Sequence, residues 1–435
     1  MRPLMFALCL ALSALAAAQI AVPGVRLPPL PNLGLPNLTA NGLPSADTLG
    51  GDLDARTLEQ LRVSRIRELL RRHRDVLEAD PHGAPIVRGE VLMIAPTDAA
   101  RAAAIAAGFP VLRELRLPQL QLQIVVLHAN ANTARALRQL EAMDPAGAYD
   151  FNHVYAESAL VMQAAAAPPL EAASPVASTA ASRLGLIDSG IDVAHEVFSG
   201  LAIERHGCAG ASVPAAHGTA VASLLVGRAA ALHGAAPGAV LYAADVFCKA
   251  PSGGSVEVIA EAFAWLMEQR VAVINVSLVG PPNRLLEQVV AAAVARGCLV
   301  VAAVGNDGPA APPLYPAAWP GVVGVTAVDG RSRVLTEAQR GPQVKFAAPG
   351  ADLAAARLGG GYALVRGTSF AAPIVAGLLA AGLPSQDAEG ARDALAALVR
   401  SAQHVGATGI DPAYGYGIVG SELRRQPALA ALHRN

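Results

Sequence analysis

Residues 184–190 read Leu-Gly-Leu-Ile-Asp-Ser-Gly, the pattern of a strand that stops at a carboxylate. A short apolar run of this kind is typical of a strand buried on both faces of a parallel sheet. Asp188 comes at the end of the run, and Ser189 and Gly190 provide the turn that follows. The stretch therefore predicts a buried strand with an acidic side chain at its carboxyl end.

The segments downstream alternate between strand and helix patterns. Apolar runs predict strands at 240–247, 271–277, 299–304 and 322–328, and helical spacing predicts helices at 217–227, 256–269 and 285–296. Such alternation predicts an α/β domain over residues 183–420, with three layers in which helices cover both faces of a mostly parallel sheet. Residues 421–435 form a tail. Sheets of this class place their sites at the carboxyl ends of strands.

The region before residue 183 is organised differently. Residues 19–53 are a Pro-rich leader without a sustained period, and residues 54–81 have the spacing of an amphipathic helix. Residues 82–160 follow the order βαββαβ, with strands at 90–94, 111–117, 120–127 and 149–155 and helices at 97–107 and 132–143. This order predicts a small α+β domain of the split-βαβ kind. Residues 161–182 are mostly Ala, Pro and Ser and predict an exposed linker.

The first 18 residues have the pattern of a secretory signal peptide. Arg2 gives a positive start, and an apolar run ends in small residues at Ala18. A disordered, Ala-rich terminus is the alternative. The apolar run at 370–384 contains Pro373 and is too short to cross a bilayer. We therefore expect an exported protein, secreted or periplasmic, with no membrane anchor after the signal is removed.

Composition excludes several classes of protein. Of the 435 residues 53% are hydrophobic and 15% are charged, which is too apolar for a disordered chain. The 33 basic and 34 acidic side chains nearly balance, which argues against nucleic acid as a partner. Regions 20–182 and 183–420 each carry a net charge of −2, so overall charge does not draw them together. A monomer is the expectation.

Three cysteines remain after removal of the signal. Cys298 begins an apolar run typical of a buried strand, so we expect a buried free thiol there. Cys208 and Cys248 are then left as a candidate disulfide pair, although connectivity cannot be derived from sequence. In the chain-entropy model such a bridge closes a loop of about 40 residues and contributes roughly 4 kcal/mol.

Four residues could carry chemistry: Asp188, His217, Asn306 and Ser369. Taken singly, each has a structural explanation as a cap or turn former. Together they suit acyl transfer, because a serine hydroxyl needs an imidazole to take its proton and the imidazole needs a carboxylate to orient it. An amide and a backbone N–H at a helix start can stabilise the resulting oxyanion. The chain order Asp, His, Ser excludes the α/β-hydrolase arrangement.

The segments that hold these residues resemble the successive signature blocks of the subtilisin-like serine proteases, the subtilases of peptidase family S8. They are Asp-Ser-Gly-Ile-Asp at 188–192, His-Gly-Thr at 217–219, Ile-Asn-Val-Ser-Leu at 274–278, Ala-Ala-Val-Gly-Asn-Asp-Gly at 302–308 and Gly-Thr-Ser-Phe-Ala-Ala-Pro at 367–373. The resemblance covers residues 183–420. It implies Ser369 as the nucleophile, His217 as the general base and Asp188 as its orienting partner. It also implies an oxyanion hole formed by Asn306 and the Ser369 backbone N–H.

The resemblance also gives the upstream region a role. Subtilases are commonly made with a propeptide that assists folding, inhibits the cleft and is removed by the enzyme itself. The α+β segment is similar to that arrangement, so we expect a self-processing zymogen whose own propeptide is a partner in cis. The mature amino terminus would lie between Ser158 and Ser182. A permanent accessory domain is the competing interpretation.

Specificity is the least determined property. The resemblance implies a peptide or protein substrate held as a strand, and it implies contacts from a set of cleft residues: Ser277, Leu278, Val279, Ala303, Val304, Gly305 and Leu314. Val279 stands where the family commonly has Gly, and Val304 where it often has Ala. Our hypothesis is a narrowed cleft that favours small or modest apolar side chains in the first pocket.

Two further expectations concern ligands and alternatives. The sequence has no Asp-x-Asp-x-Asp loop, and we predict no metal and no cofactor. The first alternative function is a catalytically silent subtilase-like protein that binds peptides. A serine hydrolase of small esters is the second alternative, and the peptide-binding segment at 277–279 disfavours it.

Overall fold

The computed structural model describes residues 55–130, 132–157, 160–161, 182–211, 213–229 and 232–424. The predicted signal peptide at 1–18 and the leader at 19–53 lie outside the described residues. So do nearly all of the predicted linker at 161–182 and most of the tail at 421–435.

The amino-terminal part of the chain forms a helix followed by a small antiparallel sheet with two helices. Its elements are α1 (Ala55–Arg72), β1 (Leu77–Ala79), β2 (Pro85–Ile94), α2 (Asp98–Ala106), β3 (Val111–Leu117), β4 (Leu122–His128), α3 (Thr133–Met143) and β5 (Ala148–His153). The strands pair in the order β1-β2-β4-β3, and β5 also pairs with β2. Helices α2 and α3 pack on this sheet through buried Ala104, Ala136 and Leu140. Strands β1 to β5 with α2 and α3 are called the α+β unit below.

Several predicted elements of this region have different bounds in the structure, among them the strand predicted at 90–94, which begins at Pro85. The helix predicted at 54–81 ends at Arg72, because β1 pairs with the first residues of β2 as a hairpin. Asp80 closes the hairpin turn, since its carboxylate accepts hydrogen bonds from the N–H groups of His82 and Ala84, each at 2.8 Å. The strand predicted at 120–127 begins at Leu122, and a short helical turn at Pro118–Leu120 precedes it.

Two short strands, β6 (Ala156–Glu157) and β7 (Leu160–Val161), lead to the carboxyl-terminal domain. The elements of that domain are β8 (Arg183–Asp188), β9 (Ile203–His206), α4 (Ala216–Val226), β10 (Val240–Asp245), α5 (Val256–Glu268), β11 (Val273–Val276), β12 (Leu278–Val279), α6 (Arg284–Ala295), β13 (Leu299–Ala303), β14 (Val323–Val328), β15 (Val344–Pro349), β16 (Leu353–Ala356), β17 (Tyr362–Arg366), α7 (Thr368–Gly382) and α8 (Ala388–Ser401).

A seven-stranded parallel sheet forms the centre of this domain, in the order β15-β14-β13-β11-β8-β10-β9. Side chains alternate between its faces: Leu184 and Leu186 join the apolar cluster that contains α4 and α7, whereas Ile187 joins the cluster that contains α5 and α6. This alternation is the period of two expected for a strand covered on both sides. The predicted three-layer α/β fold is confirmed.

The α+β unit packs on the face covered by α5 and α6. Its Leu92 and Ile124 belong to the same apolar cluster as Phe263 of α5. Arg113 donates to Glu90 and to Glu257 in the first turn of α5, so a charged contact accompanies the apolar one. The unit is therefore attached to the domain by a mixed apolar and charged surface.

The cysteines are found as a bonded pair and a buried thiol. Cys208 and Cys248 form a disulfide, and Cys298 is a buried free thiol whose pKa burial raises well above its ordinary value. The bridge joins a turn after β9 to the turn after β10. In the part of the chain that the structure describes, no helix is both long and apolar enough to cross a membrane.

We predict that replacing both bridged cysteines, as Cys208→Ser with Cys248→Ser, lowers the free energy of unfolding by about 2–4 kcal/mol. The bridge closes a loop with a sequence separation of 40, so its loss returns conformational entropy to the unfolded chain. Denaturant unfolding measures the change, and reducing agent should bring the unsubstituted protein to the same stability. If the unsubstituted, unreduced protein and the double variant had equal free energies of unfolding, the bridge would not be stabilising.

Candidate active site

Two buried side chains are joined where strand β8 ends and helix α4 begins. Nδ1 of His217 donates a hydrogen bond to Oδ1 of Asp188 at 2.8 Å. The same Oδ1 accepts from the backbone N–H of Ser189 at 2.7 Å. A carboxylate bonded to Nδ1 fixes the ring orientation and leaves Nε2 as the nitrogen that can exchange a proton.

Gly218 allows helix α4 to approach the end of β8 closely. A Cβ atom at this position would lie 2.0 Å from the carbonyl oxygen of Ser189. The Gly218 N–H donates to Ser189 Oγ at 3.1 Å, which ties the first turn of the helix to the residue after Asp188. Ser189 was not among the predicted site residues, although its position next to Asp188 could have indicated it.

Ser369 lies in the first turn of α7 and is fully buried. Gly367 precedes the helix with φ 139°, a conformation that favours glycine. Ser369 Oγ donates to the Ser277 carbonyl at 3.2 Å, and Ser277 Oγ donates to the Ser369 carbonyl at 3.1 Å. The Ser369 carbonyl is available for this bond because Pro373, four residues along the helix, has no N–H to donate to it.

Asn306 follows strand β13 and contacts the start of the same helix. Its Oδ1 accepts from the Thr368 N–H at 3.1 Å, and Thr368 Oγ1 accepts from the Gly305 N–H at 3.2 Å. Because Oδ1 is occupied by the helix terminus, the Nδ2 donor of Asn306 is the atom that remains for a bound group. Thr368 was also missed by the sequence prediction, since its side chain carries none of the chemistry that was sought.

Among the described residues, three buried atoms of this site have no hydrogen-bond partner: Asp188 Oδ2, His217 Nε2 and Asn306 Nδ2. A buried polar atom without a partner costs about 1–3 kcal/mol, and such atoms are rare in folded proteins. Here they are an imidazole nitrogen that can take a proton and an amide that can donate to an oxyanion. The arrangement is therefore suited to acyl transfer at the Ser369 hydroxyl.

Strands β6 and β7 pair with two strands that lie next to this site. Glu157 in β6 lies opposite Leu278 in β12, and Leu160 in β7 lies opposite Arg366 in β17, both in antiparallel pairing. Strand β12 directly follows Ser277, and β17 ends shortly before Ser369. The two pairings therefore lie next to the segments that hold Ser277 and Ser369.

Glu157 brings a second carboxylate to His217. A carboxylate oxygen from Glu157, one from Asp188 and a ring nitrogen of His217 all lie within 4.8 Å of one another. Burial alone lowers the pKa of His217, but the two carboxylates outweigh it and raise the pKa to about 9. The two carboxylates therefore favour the protonated form of the ring while β6 lies beside it.

The predicted cleft residues divide into buried and accessible ones. Ser277 and Leu278 are fully buried at the edge that pairs with β6. The side chains of Ala303 and Val304 are also fully buried and belong to the clusters on opposite faces of the sheet. Val304 therefore packs into the core in this arrangement.

Leu314 and Val279 are the partly exposed members of the predicted set. A Cβ atom on Gly305 would lie 2.6 Å from Leu314 Cδ1, so the leucine side chain is packed directly against this glycine. The Leu314 N–H donates to Gln339 Oε1 at 3.2 Å, which fixes the loop. Leu314 thus narrows the space beside Gly305 and Asn306.

Comparisons with known proteins agree with this geometry. The family model of the subtilases matches residues 180–417. Subtilisin Savinase of Lederbergia lenta is 35% identical over 209 residues, an alignment that covers 47% of this chain and 76% of that protein. The minor extracellular protease Epr of Bacillus subtilis is 31% identical over 206 residues, covering 47% of this chain and 32% of that protein.

A solved structure supports the fold over a longer range. The crystal structure of fervidolysin from Fervidobacterium pennivorans superposes with a TM-score of 0.64 at 21% identity and covers 78% of this chain. The matched part is 61% of the fervidolysin chain, so this chain spans less than two thirds of fervidolysin and about a third of Epr.

We predict that His217 titrates with a pKa of about 9 in a Ser369→Ala form of the protein, measured by NMR of the histidine ring. Glu157→Gln removes one of the two neighbouring negative charges and should lower that pKa, because an anion nearby stabilises the charged ring. Glu389→Gln, an exposed substitution in α8, serves as the control and should leave the pKa unchanged. If the pKa of His217 were unchanged in Glu157→Gln, the contact between Glu157 and His217 would be contradicted.

Proposed function

The chain belongs to the subtilase family, and from this membership we propose that it is a serine endopeptidase with its peptidase domain at 183–420. Ser369 is the nucleophile, His217 the general base and Asp188 the residue that orients it. Asn306 and the Ser369 backbone N–H form the oxyanion hole. The observation that carries the proposal is the convergence of the Asp188–His217 hydrogen bond, the Ser369 hydroxyl and the unpaired Asn306 amide beside a strand edge.

The reaction follows from the positions of these groups. The Ser369 hydroxyl attacks the substrate carbonyl carbon while its proton passes to Nε2 of His217. The carbonyl oxygen becomes an oxyanion and accepts hydrogen bonds from Asn306 Nδ2 and the Ser369 N–H. His217 then gives its proton to the leaving amine, and water releases the acyl group by the reverse sequence. Asp188 stabilises the imidazolium without taking the proton.

Peptide substrates bind as an added strand in this proposal. β12 presents Leu278 and Val279 as an edge, and β6 already occupies that edge in antiparallel pairing. A substrate would replace β6 and use the same backbone hydrogen bonds, which is the β-augmentation mode of recognition.

We further propose that the chain is a self-processing zymogen. Glu157 is opposite Leu278 and Leu160 is opposite Arg366, so Ser158 and Ala159 are the residues between the two pairings. Of the three peptide bonds between Glu157 and Leu160, we propose the middle one, Ser158–Ala159, as the bond that Ser369 attacks, so that the mature chain would begin at Ala159. A serine before this bond agrees with a first pocket narrowed by Leu314.

Export completes the proposal. Residues 1–18 act as the signal peptide, and the propeptide in cis ends at Ser158, before the proposed cut. Epr, one of the relatives, is described as an extracellular protease, which supports a secreted or periplasmic location. Peptide substrate and propeptide are the partners, and the mature protein is a monomer.

We predict that the precursor is converted to a form beginning at Ala159 and that Ser369→Ala abolishes the conversion. Intact mass and amino-terminal sequencing identify the cut, and a serine-directed phosphonate should label the unsubstituted protein alone. Ser158→Phe should slow the conversion, because an aromatic side chain does not fit a narrowed pocket. A folded protein that is neither labelled nor able to cleave any peptide would overturn the peptidase proposal. Normal conversion of Ser369→Ala would overturn self-processing alone.

We predict that Asn306→Ala lowers kcat by about 10²–10³ with little change in KM, because the lost donor acts on the oxyanion and not on bound substrate. Asn306→Asp retains an oxygen that can cap Thr368 but lacks the amide donor, and it should lose kcat to at least the same degree. Steady-state kinetics on a peptide substrate measure both variants. If Asn306→Asp kept the kcat of the unsubstituted protein, the loss in Asn306→Ala would come from the missing cap on Thr368 and not from the missing amide donor.

A further inference from the structure

Helix α1 connects two parts of the molecule. Its carboxyl-terminal half packs on the α+β unit, where Leu69 and Leu70 contact a small cluster of buried Leu77, Val87 and Val154. Its 18 residues make a rod of roughly 27 Å. The amino-terminal half therefore reaches well beyond this cluster.

The amino-terminal half lies on the loop that follows Asn306. Leu58 is only 4% exposed, and a Cβ atom on Gly308 would lie 3.3 Å from Leu58 Cδ1. An apolar side chain in the first turns of the helix is thus buried against the loop at 306–308. This loop carries the proposed oxyanion donor, whereas strand β6 contacts the other wall of the cleft at β12.

Charge complements this apolar contact. The helix contains six arginines and two glutamates, while the region 20–182 as a whole carries a net charge of −2. Arg62 and Arg65 are the arginines that act on Asp307: burial raises the pKa of Asp307, and the two guanidinium groups oppose that rise. Arg62 is held in place by a bidentate pair with Glu59 at 2.8 and 3.1 Å. Arg65 Nε is buried without a hydrogen-bond partner among the described residues.

We propose that helix α1 is a second inhibitory segment that docks its Leu58, Arg62 and Arg65 face on the Asp307–Gly308 wall of the cleft. The proposal rests on the peptidase function above and goes beyond self-processing. Once Ser158–Ala159 is cut, strand β6 has a free end, but the helix still holds the propeptide to the oxyanion loop. Cleavage and the appearance of activity are therefore separate events, and the rate of helix release sets the rate at which activity appears.

The test measures two time courses in one sample of full-length precursor. Mass spectrometry follows the appearance of the processed chain, and hydrolysis of a fluorogenic peptide follows the appearance of activity. Arg62→Glu with Arg65→Glu should leave the rate of cutting unchanged and shorten the lag before activity by about three- to tenfold, because the change replaces attraction of two partly exposed charges to Asp307 by repulsion. Arg67→Glu with Arg74→Glu makes the same change of charge at exposed positions and should keep the lag of the unsubstituted precursor.

Two further measurements keep the result interpretable. Leu58→Ala removes the apolar contact without changing charge and should also shorten the lag. Raised ionic strength should shorten the lag of the unsubstituted precursor toward that of the Arg62→Glu, Arg65→Glu variant, since screening weakens the attraction of Arg62 and Arg65 to Asp307. Normal cutting with the same lag in all variants would overturn the helix proposal and leave the peptidase intact. Absence of both cutting and peptide hydrolysis in every folded variant would overturn the proposed function itself.

Discussion

The burial of helix α7 beside the parallel sheet is the constraint on which the rest of the structure depends. Twelve of its 15 residues are buried, so it must be surrounded by other elements. Sheet strands and α4 supply that surrounding, and the first turn of the helix is thereby brought to the carboxyl ends of β8, β11 and β13. Ser369 occupies that turn, and the missing N–H of Pro373 leaves the Ser369 carbonyl for Ser277. Burial of one apolar helix thus fixes Ser369 against the other elements of the site.

Much of this domain could be predicted, because its central strands are apolar runs separated by helices of clear period. Strands β8, β10, β11, β13 and β14 and helices α4, α5 and α6 agree with the predictions to within a few residues. Strands β9, β12, β15, β16 and β17 and helix α8 were not predicted. β16 reads Leu-Ala-Ala-Ala, and in such an alanine-rich run neither the strand period nor the helix period stands out.

Some residues of the candidate site could be predicted from the sequence around them, whereas others depend on contacts between distant parts of the chain. Asp188, His217, Asn306 and Ser369 stand in segments whose composition indicates a strand end or a helix start, so the chemistry could be inferred from the sequence. Glu157 could not be found in this way, because its approach to His217 depends on the pairing of β6 with β12 across more than a hundred residues. The contact of α1 with the loop at 306–308 is equally non-local. Periodicity predicts a helix, but it does not say which surface covers its apolar face.

Strands β6 and β7 have a kinetic meaning in the proposed self-processing, because they belong to the same continuous chain as Ser369. A bond within the same molecule would meet Ser369 at an effective molarity that no dissolved substrate reaches. Processing of this kind would be first order, so its rate would not depend on protein concentration. The paired strands would also restrict which bond can be reached, whatever side chain the first pocket prefers. Under this proposal, selectivity toward the protein's own precursor comes from tethering, and selectivity toward other proteins comes from the cleft.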